Sequence, residues 1–217
     1  MSLSIKICGI NSTESAQECI SYPVTKYLGF IFYEKSPRYV SIEKATQIIN
    51  SLPESIKTVA VMVNPQDQFI EKLLHSCKFN ILQLHGSETP TRIKEIKKNI
   101  KNISASSIMK VIRISKIDHL TNIKDYENVS DMLLFDSIPP KDGLPGGNAL
   151  KFDWKILSKQ SFKVPFMLSG GINNENISEA VRITGAKIID VSSGVEDEPG
   201  KKSISKIKNF LKTAQSL

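Results

Sequence analysis

The chain has 217 residues, of which 40% are hydrophobic and 24% are charged, and its formal net charge is +7. This length and composition exclude a disordered or fibrous chain and suit one sizeable core, near the lower size limit of an eightfold βα barrel. No apolar run is long enough to span a membrane, and residues 1–8 are too short and too polar for a signal peptide. We therefore expect a cytoplasmic protein with three reduced thiols, on Cys8, Cys19 and Cys77.

The positive charge comes from 25 lysines and only four arginines, spread along the chain. Proteins that follow nucleic-acid phosphates use arginine forks and interleaved aromatic residues, and no such stretch is present. The densest lysines fall at helical spacing, as on a solvated helix face: Lys94, Lys97, Lys98 and Lys101. We expect no nucleic-acid partner and a modest attraction for anionic metabolites.

Short apolar runs alternate with amphipathic stretches in eight successive pairs. The expected strands cover residues 5–9, 27–32, 58–63, 81–84, 109–114, 132–136, 166–169 and 187–191. The expected helices cover residues 13–21, 42–51, 66–76, 88–102, 117–126, 152–159, 174–184 and 203–214. Eight pairs with short connections predict parallel strands, right-handed crossovers and a closed barrel rather than an open sheet. The fold class is thus α/β, a single (β/α)8 TIM barrel forming one domain over residues 1–217.

Cys8 lies at the end of the first expected strand. Period-two alternation places Lys6 and Cys8 on one face and Ile5 and Ile7 on the other. If the isoleucines pack against helices, Cys8 points into the barrel mouth, where the Lys6 ammonium would lower the pKa of the thiol by stabilising the thiolate. A buried core thiol without chemistry is the alternative.

Polar residues follow other expected strands at the end where barrel enzymes carry their active residues. Asp136 ends an apolar run, so partial burial would raise the pKa of its carboxyl and suit it to proton donation; a cap or salt bridge is the alternative. Arg38 could hold a carboxylate with its planar fork or lie solvated in its loop. His85 could orient a substrate, although a bond to a backbone carbonyl is favoured for a lone histidine.

Two glycine-containing turns follow the seventh and eighth expected strands. Gly170 and Gly171 interrupt one apolar run, and Ser193 and Gly194 interrupt the next. Glycines let backbone N–H groups converge on an anion, and a following helix N-terminus adds positive charge. Because the loops after strands 7 and 8 of a barrel usually hold a phosphate, the two turns predict a phosphate site. Each turn taken alone is also typical of an ordinary loop.

No set of His, Cys, Asp and Glu residues has metal-ligand spacing, and no nicotinamide or pyridoxal motif is present. We therefore expect neither a metal nor a cofactor.

Nine short segments distributed over the whole chain resemble one family. They cover residues 6–10, 29–41, 61–64, 82–88, 134–136, 152–154, 168–173, 191–196 and 199–202. The Lys-Ile-Cys-Gly start and the Val-Ser-Ser-Gly-Val-Glu ending are the most specific. Together they resemble the phosphoribosylanthranilate isomerases of tryptophan biosynthesis.

The resemblance implies an aldose–ketose isomerase that carries out an Amadori rearrangement without a cofactor. N-(5-phosphoribosyl)anthranilate becomes 1-(2-carboxyphenylamino)-1-deoxyribulose 5-phosphate. Asp136 then matches the general acid that opens the furanose ring, Cys8 the general base that takes the C2′ proton, and Arg38 the residue that holds the anthranilate carboxylate. The positions that match the family's phosphate clamp are Gly170, Gly171, Ser193 and Gly194.

The longest irregular stretch, residues 137–151, follows the sixth expected strand and is typical of a lid or of a plain connection. Within it, Gly146-Gly147-Asn148-Ala149 stands where the family usually has Gly-Gly-Thr-Gly. Ser169 stands where the family usually has alanine. Neither departure removes a group with an implied catalytic role.

Three other interpretations remain open. Another phosphate-clamping barrel could act on a different sugar phosphate, as the isomerase of histidine biosynthesis does, but that enzyme typically has an aspartate where this chain has Cys8. A catalytically silent barrel could bind a phosphorylated metabolite, and a basic protein could bind nucleic acid. We expect a small phosphorylated substrate, no membrane partner, and a monomer, because one barrel uses the apolar residues.

Overall fold

Eight parallel strands close into a barrel in the order of the sequence. The computed structural model describes residues 3–139 and 151–217. The strands are β1 (Ser4–Cys8), β2 (Thr25–Ile31), β3 (Lys57–Met62), β4 (Ile81–Leu84), β5 (Ser107–Ile114), β6 (Met132–Ser137), β7 (Phe166–Leu168) and β8 (Ile188–Val191). Each lies within two residues of its expected bounds, so the predicted (β/α)8 TIM barrel is confirmed.

Helices cover the outside of this barrel. They are α1 (Thr13–Ile20), α2 (Ile42–Ile49), α3 (Asp67–Ser76), α4 (Pro90–Ile100), α5 (Ile123–Glu127), α6 (Ile177–Thr184) and α7 (Ile204–Gln215). Three of them begin at a side-chain cap, because Ser12, Ser41 and Thr89 each accept a hydrogen bond from a backbone N–H three residues later. These caps explain why the three helices begin at these residues.

Two of the expected helices are wrong. Residues 117–126 form a 3-10 turn (Ile117–Leu120) and the short α5, and residues 152–159 contain only a 3-10 turn (Trp154–Ile156). Asn122 interrupts the first region with φ −100° and ψ 18°. In the second, the Asp153 side chain accepts a hydrogen bond from the N–H of Lys155 and closes a tight turn. Local bonds of this kind compete with a helix, and an apolar pattern does not reveal them.

The apolar side chains form two layers. One cluster fills the barrel and contains Cys8 together with residues of β3, β5, β6 and β7. The other contains Ile5 and Ile7 with apolar residues of α1 and α7, and it lies between the barrel and its helices. Cys8 therefore faces the interior while the two isoleucines face the helices, as the alternation predicts.

A two-stranded antiparallel hairpin follows β8 and was not expected from the sequence. It consists of β9 (Glu196–Glu198) and β10 (Lys201–Lys202), after a 3-10 turn at Ser193–Val195. Its residues are charged on both strands, so they show none of the apolar alternation that predicts a strand. The hairpin lies next to the carboxyl end of the barrel and contributes buried groups there.

Residues 140–150 lie outside the described residues. Most of the predicted lid over residues 137–151 therefore lies outside them, as does the whole departure at Gly146-Gly147-Asn148-Ala149. Within the described residues, none of the helices combines the length and apolar character needed to cross a membrane.

Candidate active site

A cavity at the carboxyl ends of the strands brings together most of the predicted site residues. Four of them line it: Cys8 from β1, Arg38 from the loop after β2, His85 from the loop after β4, and Asp136 from β6. All four are buried, with exposed fractions of 4–8%. One potential base, one potential acid and one cationic fork therefore face a common space.

The two glycine turns line an adjoining recess. Gly170, Gly171 and Ser193 border it, and Asp136 belongs to both cavities. Gly170 and Gly171 have φ of 88° and 66°, which favour glycine. Gly194 lies where the two loops touch, since a Cβ there would come within 2.1 Å of the carbonyl oxygen of Ile172. The close approach of the two backbones therefore requires glycine at position 194, whereas the positive φ angles account for Gly170 and Gly171.

The helix that follows the first turn does not begin directly at the glycines. Residues 173–176 form a turn before α6, in which the Asn173 N–H donates to the side chain of Asn176. The second turn leads only into the 3-10 turn at Ser193–Val195. Backbone N–H groups of the loops are therefore the main donors that this recess offers an anion.

Cys8 lies beside a buried ion pair. The ammonium of Lys6 is 2.8 Å from Oδ1 of Asp190, because the two residues are partners in the register between β1 and β8. Gly29 on β2 makes room for the thiol and the lysine: a Cβ at that position would be 2.9 Å from Sγ of Cys8 and 3.2 Å from Cε of Lys6. The thiol is thus held against a cation and an anion.

Burial decides the pKa of Cys8. It raises the pKa of the thiol above its ordinary value, Lys6 lowers it, and Asp190 raises it again. The pKa of Lys6 is also raised, because the attraction of Asp190 and Cys8 outweighs the effect of burial. Lys6 therefore acts in the expected direction, but it does not bring the pKa of Cys8 below that of a free thiol.

His85 contacts Asp136 rather than a backbone carbonyl. Its Nε2 is 3.3 Å from Oδ2 of Asp136, close enough for a hydrogen bond but not aligned for one. Its Nδ1 is 3.4 Å from Nε2 of Gln83, and the N–H of Ser137 donates to Oδ1 of Asp136 at 2.8 Å. The histidine thus borders the carboxyl group that the sequence nominates as the acid.

Arg38 forms a bidentate ion pair with Glu196. Its Nε and Nη2 donate to the two carboxylate oxygens at 2.8 and 2.7 Å, and both side chains are buried. Burial raises the pKa of Glu196, but its bonds to Arg38 and Lys202 outweigh that effect and lower it. The arginine is therefore not solvated, and Glu196 occupies its Nε–Nη2 edge and fixes the plane of the guanidinium before any ligand arrives.

Comparisons with known proteins extend over the whole chain. The sequence pattern of the family described as N-(5′phosphoribosyl)anthranilate (PRA) isomerase matches residues 5–213. The N-(5′-phosphoribosyl)anthranilate isomerase of Parvibaculum lavamentivorans is 40% identical over 218 residues, covering 99% of each chain. That of Rhodospirillum centenum is 39% identical and covers 100% of both chains.

The chain belongs to the phosphoribosylanthranilate isomerase family.

Solved structures agree with this family membership. The phosphoribosyl anthranilate isomerase of Thermotoga maritima is 32% identical, with a TM-score of 0.86, and covers 99% of this chain and 100% of its own. A phosphoribosyl anthranilate isomerase in complex with reduced 1-(o-carboxyphenylamino)-1-deoxyribulose 5-phosphate is 31% identical, with a TM-score of 0.83 and the same coverage.

Sequence reasoning missed several buried charges of this isomerase fold. Asp190 is a buried carboxylate in the apolar strand β8, as Asp136 is in β6, so the same signal was present in the sequence for both. Glu196 and Lys202 lie in segments used for the resemblance but had no assigned role. Arg38, one partner of Glu196, is 158 positions away in the sequence. The partners of Lys202 are only 6 and 10 positions away, but they meet it through a charged hairpin that has no apolar pattern.

A buried ion pair also fixes the loops after β3 and β4. Lys110 on β5 lies 2.6 Å from Glu88 and donates to the carbonyl oxygens of Leu84 and Gly86. Glu88 in turn accepts from the N–H groups of Asn64 and Gly86. These bonds hold the backbone on both sides of His85, so the histidine is positioned from outside the cavity.

Replacing Lys110 by methionine should destabilise the fold strongly. Lys110→Met leaves Glu88 buried without its cation, which is expected to cost about 3–5 kcal/mol in urea unfolding experiments. Lys97→Met is the control, since its pair with Asp131 is exposed and should contribute less than about 1 kcal/mol. Equal losses in the two variants would contradict the role assigned to the buried pair.

Proposed function

We propose that this isomerase uses Asp136 as general acid and Cys8 as general base to convert N-(5-phosphoribosyl)anthranilate into 1-(2-carboxyphenylamino)-1-deoxyribulose 5-phosphate, a step of tryptophan biosynthesis. The observation that supports this reaction is that residues 5–213 match the family. The residue roles are supported by a cavity that Cys8 and Asp136 line together. A cysteine at the end of β1, instead of an aspartate, also separates the chain from the histidine-pathway isomerase.

The first step opens the sugar ring. Asp136 gives its proton to the furanose ring oxygen and becomes a carboxylate, the bond from C1′ to that oxygen breaks, and the anilino nitrogen, which keeps its hydrogen, forms a protonated imine with C1′. Asp136 is suited to this step because it borders both cavities and its carboxyl is buried at the end of β6. His85, at 3.3 Å, lies where it can limit the rotation of the carboxyl.

The second step moves a proton from C2′. The thiolate of Cys8 takes this proton, and the electron pair shifts to give an enolamine, which tautomerises to the ketone. Formation of the thiolate next to the ammonium of Lys6 leaves a cation to balance the new charge. The reaction is redox-neutral overall and needs neither a cofactor nor a metal.

The two ends of the substrate carry negative charge. We assign the phosphate to the recess bordered by Gly170, Gly171 and Ser193, with Gly194 next in the chain, because the two loops offer backbone N–H groups there. We assign the anthranilate carboxylate to Arg38. Its ion pair with Glu196 fixes the plane of the guanidinium. Binding at both ends would place the reacting carbons between Cys8 and Asp136.

The reaction is tested by following the loss of substrate fluorescence with freshly generated phosphoribosylanthranilate. Cys8→Ala and Asp136→Asn should each lower the rate by about 10²–10⁴-fold, the usual contribution of a general acid or base. Cys77→Ala and Asp118→Asn change the same residue types outside the cavity and should keep the wild-type rate. Binding of the substrate to wild-type protein without turnover would instead indicate a silent barrel.

The role of Lys6 predicts a shift in the pH dependence. Activity should rise with pH as Cys8 loses its proton, and Lys6→Met should move this rise to higher pH by about 1 unit, because the cation that stabilises the thiolate is gone. In Lys6→Met the unpaired carboxylate of Asp190 also raises the pKa of Cys8. The double variant Lys6→Met/Asp190→Asn should therefore show a smaller shift of the pH–rate profile than Lys6→Met. Lys26→Met on the exposed side of β2 is the control. An unchanged pH–rate profile for Lys6→Met would contradict this role.

We also infer that the enzyme is a cytoplasmic monomer of one domain that acts on a small phosphorylated substrate. All three cysteines are free, as in a reducing compartment, and few large apolar side chains are exposed in the described residues. The Thermotoga maritima relative, by contrast, is a dimeric enzyme from which monomers have been generated, so a dimer is the alternative to be tested. Sedimentation equilibrium should find a 24.2 kDa species at micromolar concentration, and a species of twice that mass would contradict the inference.

A further inference from the structure

Lys202 is a buried lysine behind Cys8 to which neither the sequence nor the proposed mechanism gives a role. It lies on β10, and its side chain is 1% exposed. Its Nζ is 2.7 Å from Oε1 of Glu196, 3.0 Å from the carbonyl oxygen of Ser192 and 3.4 Å from the hydroxyl of Ser192. That hydroxyl donates to the carbonyl oxygen of Cys8 at 3.0 Å. A chain of polar contacts therefore leads from Lys202 to the backbone of Cys8.

The contacts of Lys202 are those of an ammonium. Its three neighbours are all acceptors, because Glu196 is a carboxylate and the hydroxyl proton of Ser192 is used on Cys8. An ammonium has three donors, which matches this set. Burial lowers the pKa of Lys202 below its ordinary value, and the attraction of the Glu196 carboxylate offsets only part of that effect. The geometry thus favours a positive charge behind the thiol.

Lys202 also shares its carboxylate with Arg38. Oε1 of Glu196 accepts from both Lys202 and Arg38, and Oε2 accepts from Arg38. The hairpin itself packs on the loop of Arg38, since a Cβ at Gly200 would come within 2.2 Å of the carbonyl oxygen of Pro37. A substitution of Lys202 should therefore alter the position of Arg38 as well as that of Cys8.

We propose that Lys202 is a positioning residue that holds Cys8, through Ser192, and Arg38, through Glu196, in the geometry that the isomerisation requires. This inference rests on the proposed function, in which Cys8 is the general base and Arg38 binds the substrate carboxylate. Only Ser192 lies between the ammonium of Lys202 and the backbone of Cys8 in this chain of hydrogen bonds, so the charge of Lys202 adds to that of Lys6 in favouring the Cys8 thiolate. The base and the carboxylate fork are then set by a single carboxylate–ammonium pair on the hairpin.

Other charged and titratable groups surround the thiol and must be kept constant in the test. Lys6 and Asp190 lie against it from β1 and β8, and Glu196 lies on the hairpin side. Four further groups line the same cavity: Tyr33, Arg38, His85 and Asp136. None of these is altered in the variants below.

The experiment compares four variants of one hairpin strand. Lys202→Met and Lys202→Gln remove the charge, and the amide of the second keeps a donor for Glu196. Lys202→Arg keeps the charge and should rescue function. Lys201→Met is the matched control, because Lys201 is the neighbouring lysine of β10 and is exposed.

The first measurement is the rate at which iodoacetamide alkylates Cys8 as a function of pH, followed by peptide mass spectrometry. The alkylation rate depends on the fraction of thiolate and does not require the isomerase reaction. The role of Lys202 and the proposed function can therefore be refuted independently of each other. The midpoint for Cys8 should move to higher pH by up to about 1 unit in Lys202→Met and Lys202→Gln. The profile of Cys77 in the same digests should stay unchanged.

The second measurement is kinetic. In the uncharged variants kcat/KM should fall about 10–100-fold. We expect a lower kcat because Cys8 is misplaced for proton abstraction, and a higher KM because Arg38 is misplaced for binding the carboxylate. Lys202→Arg and Lys201→Met should keep the wild-type alkylation midpoint and stay within about twofold of its kcat/KM.

Two results would overturn the proposal. One is an unchanged Cys8 midpoint and unchanged kinetics in folded Lys202→Met. The other is loss of the cooperative thermal transition in both uncharged variants, which would assign Lys202 to folding alone. A wild-type enzyme without isomerase activity, but with the predicted shift in alkylation, would refute the proposed function and leave the effect of Lys202 on the thiol in place.

Discussion

A buried ion pair joins the first and last strands of this barrel. Lys6 on β1 and Asp190 on β8 are register partners, and the side chain of Lys6 has no exposed surface. Either charge alone would be costly to bury at this depth, so each depends on the other. The pair also borders Cys8. The side-chain contact between the two strands that meet when the barrel closes therefore also sets the charge around the proposed base.

Two more groups of buried charges lie at the same end of the barrel. Lys110 and Glu88 fix the loops after β3 and β4, and Arg38 and Lys202 share Glu196. The barrel interior beneath them is largely apolar. Because the charges are held by one another before a ligand binds, little reorganisation is needed when charge develops during proton transfer.

Burial has opposing effects on the cysteine. It raises the pKa of the Cys8 thiol, which disfavours the thiolate, and it also strengthens the interaction of any thiolate with nearby cations. Two buried lysines approach Cys8, one from its own strand and one from the hairpin after β8. The hairpin is thus part of the environment of the base, although it lies outside the eight barrel strands.

The sequence by itself determined the barrel, the inward direction of Cys8 and the two glycine turns. These features follow from period-two alternation and from turn preferences, which depend on neighbouring residues. The resemblance then pointed to the family and to the candidate acid and base. Only the tertiary structure decided which groups are paired, because Lys6 and Asp190 are 184 positions apart and Arg38 and Glu196 are 158 apart. Such contacts arise when strands close into a ring, and no local pattern encodes them.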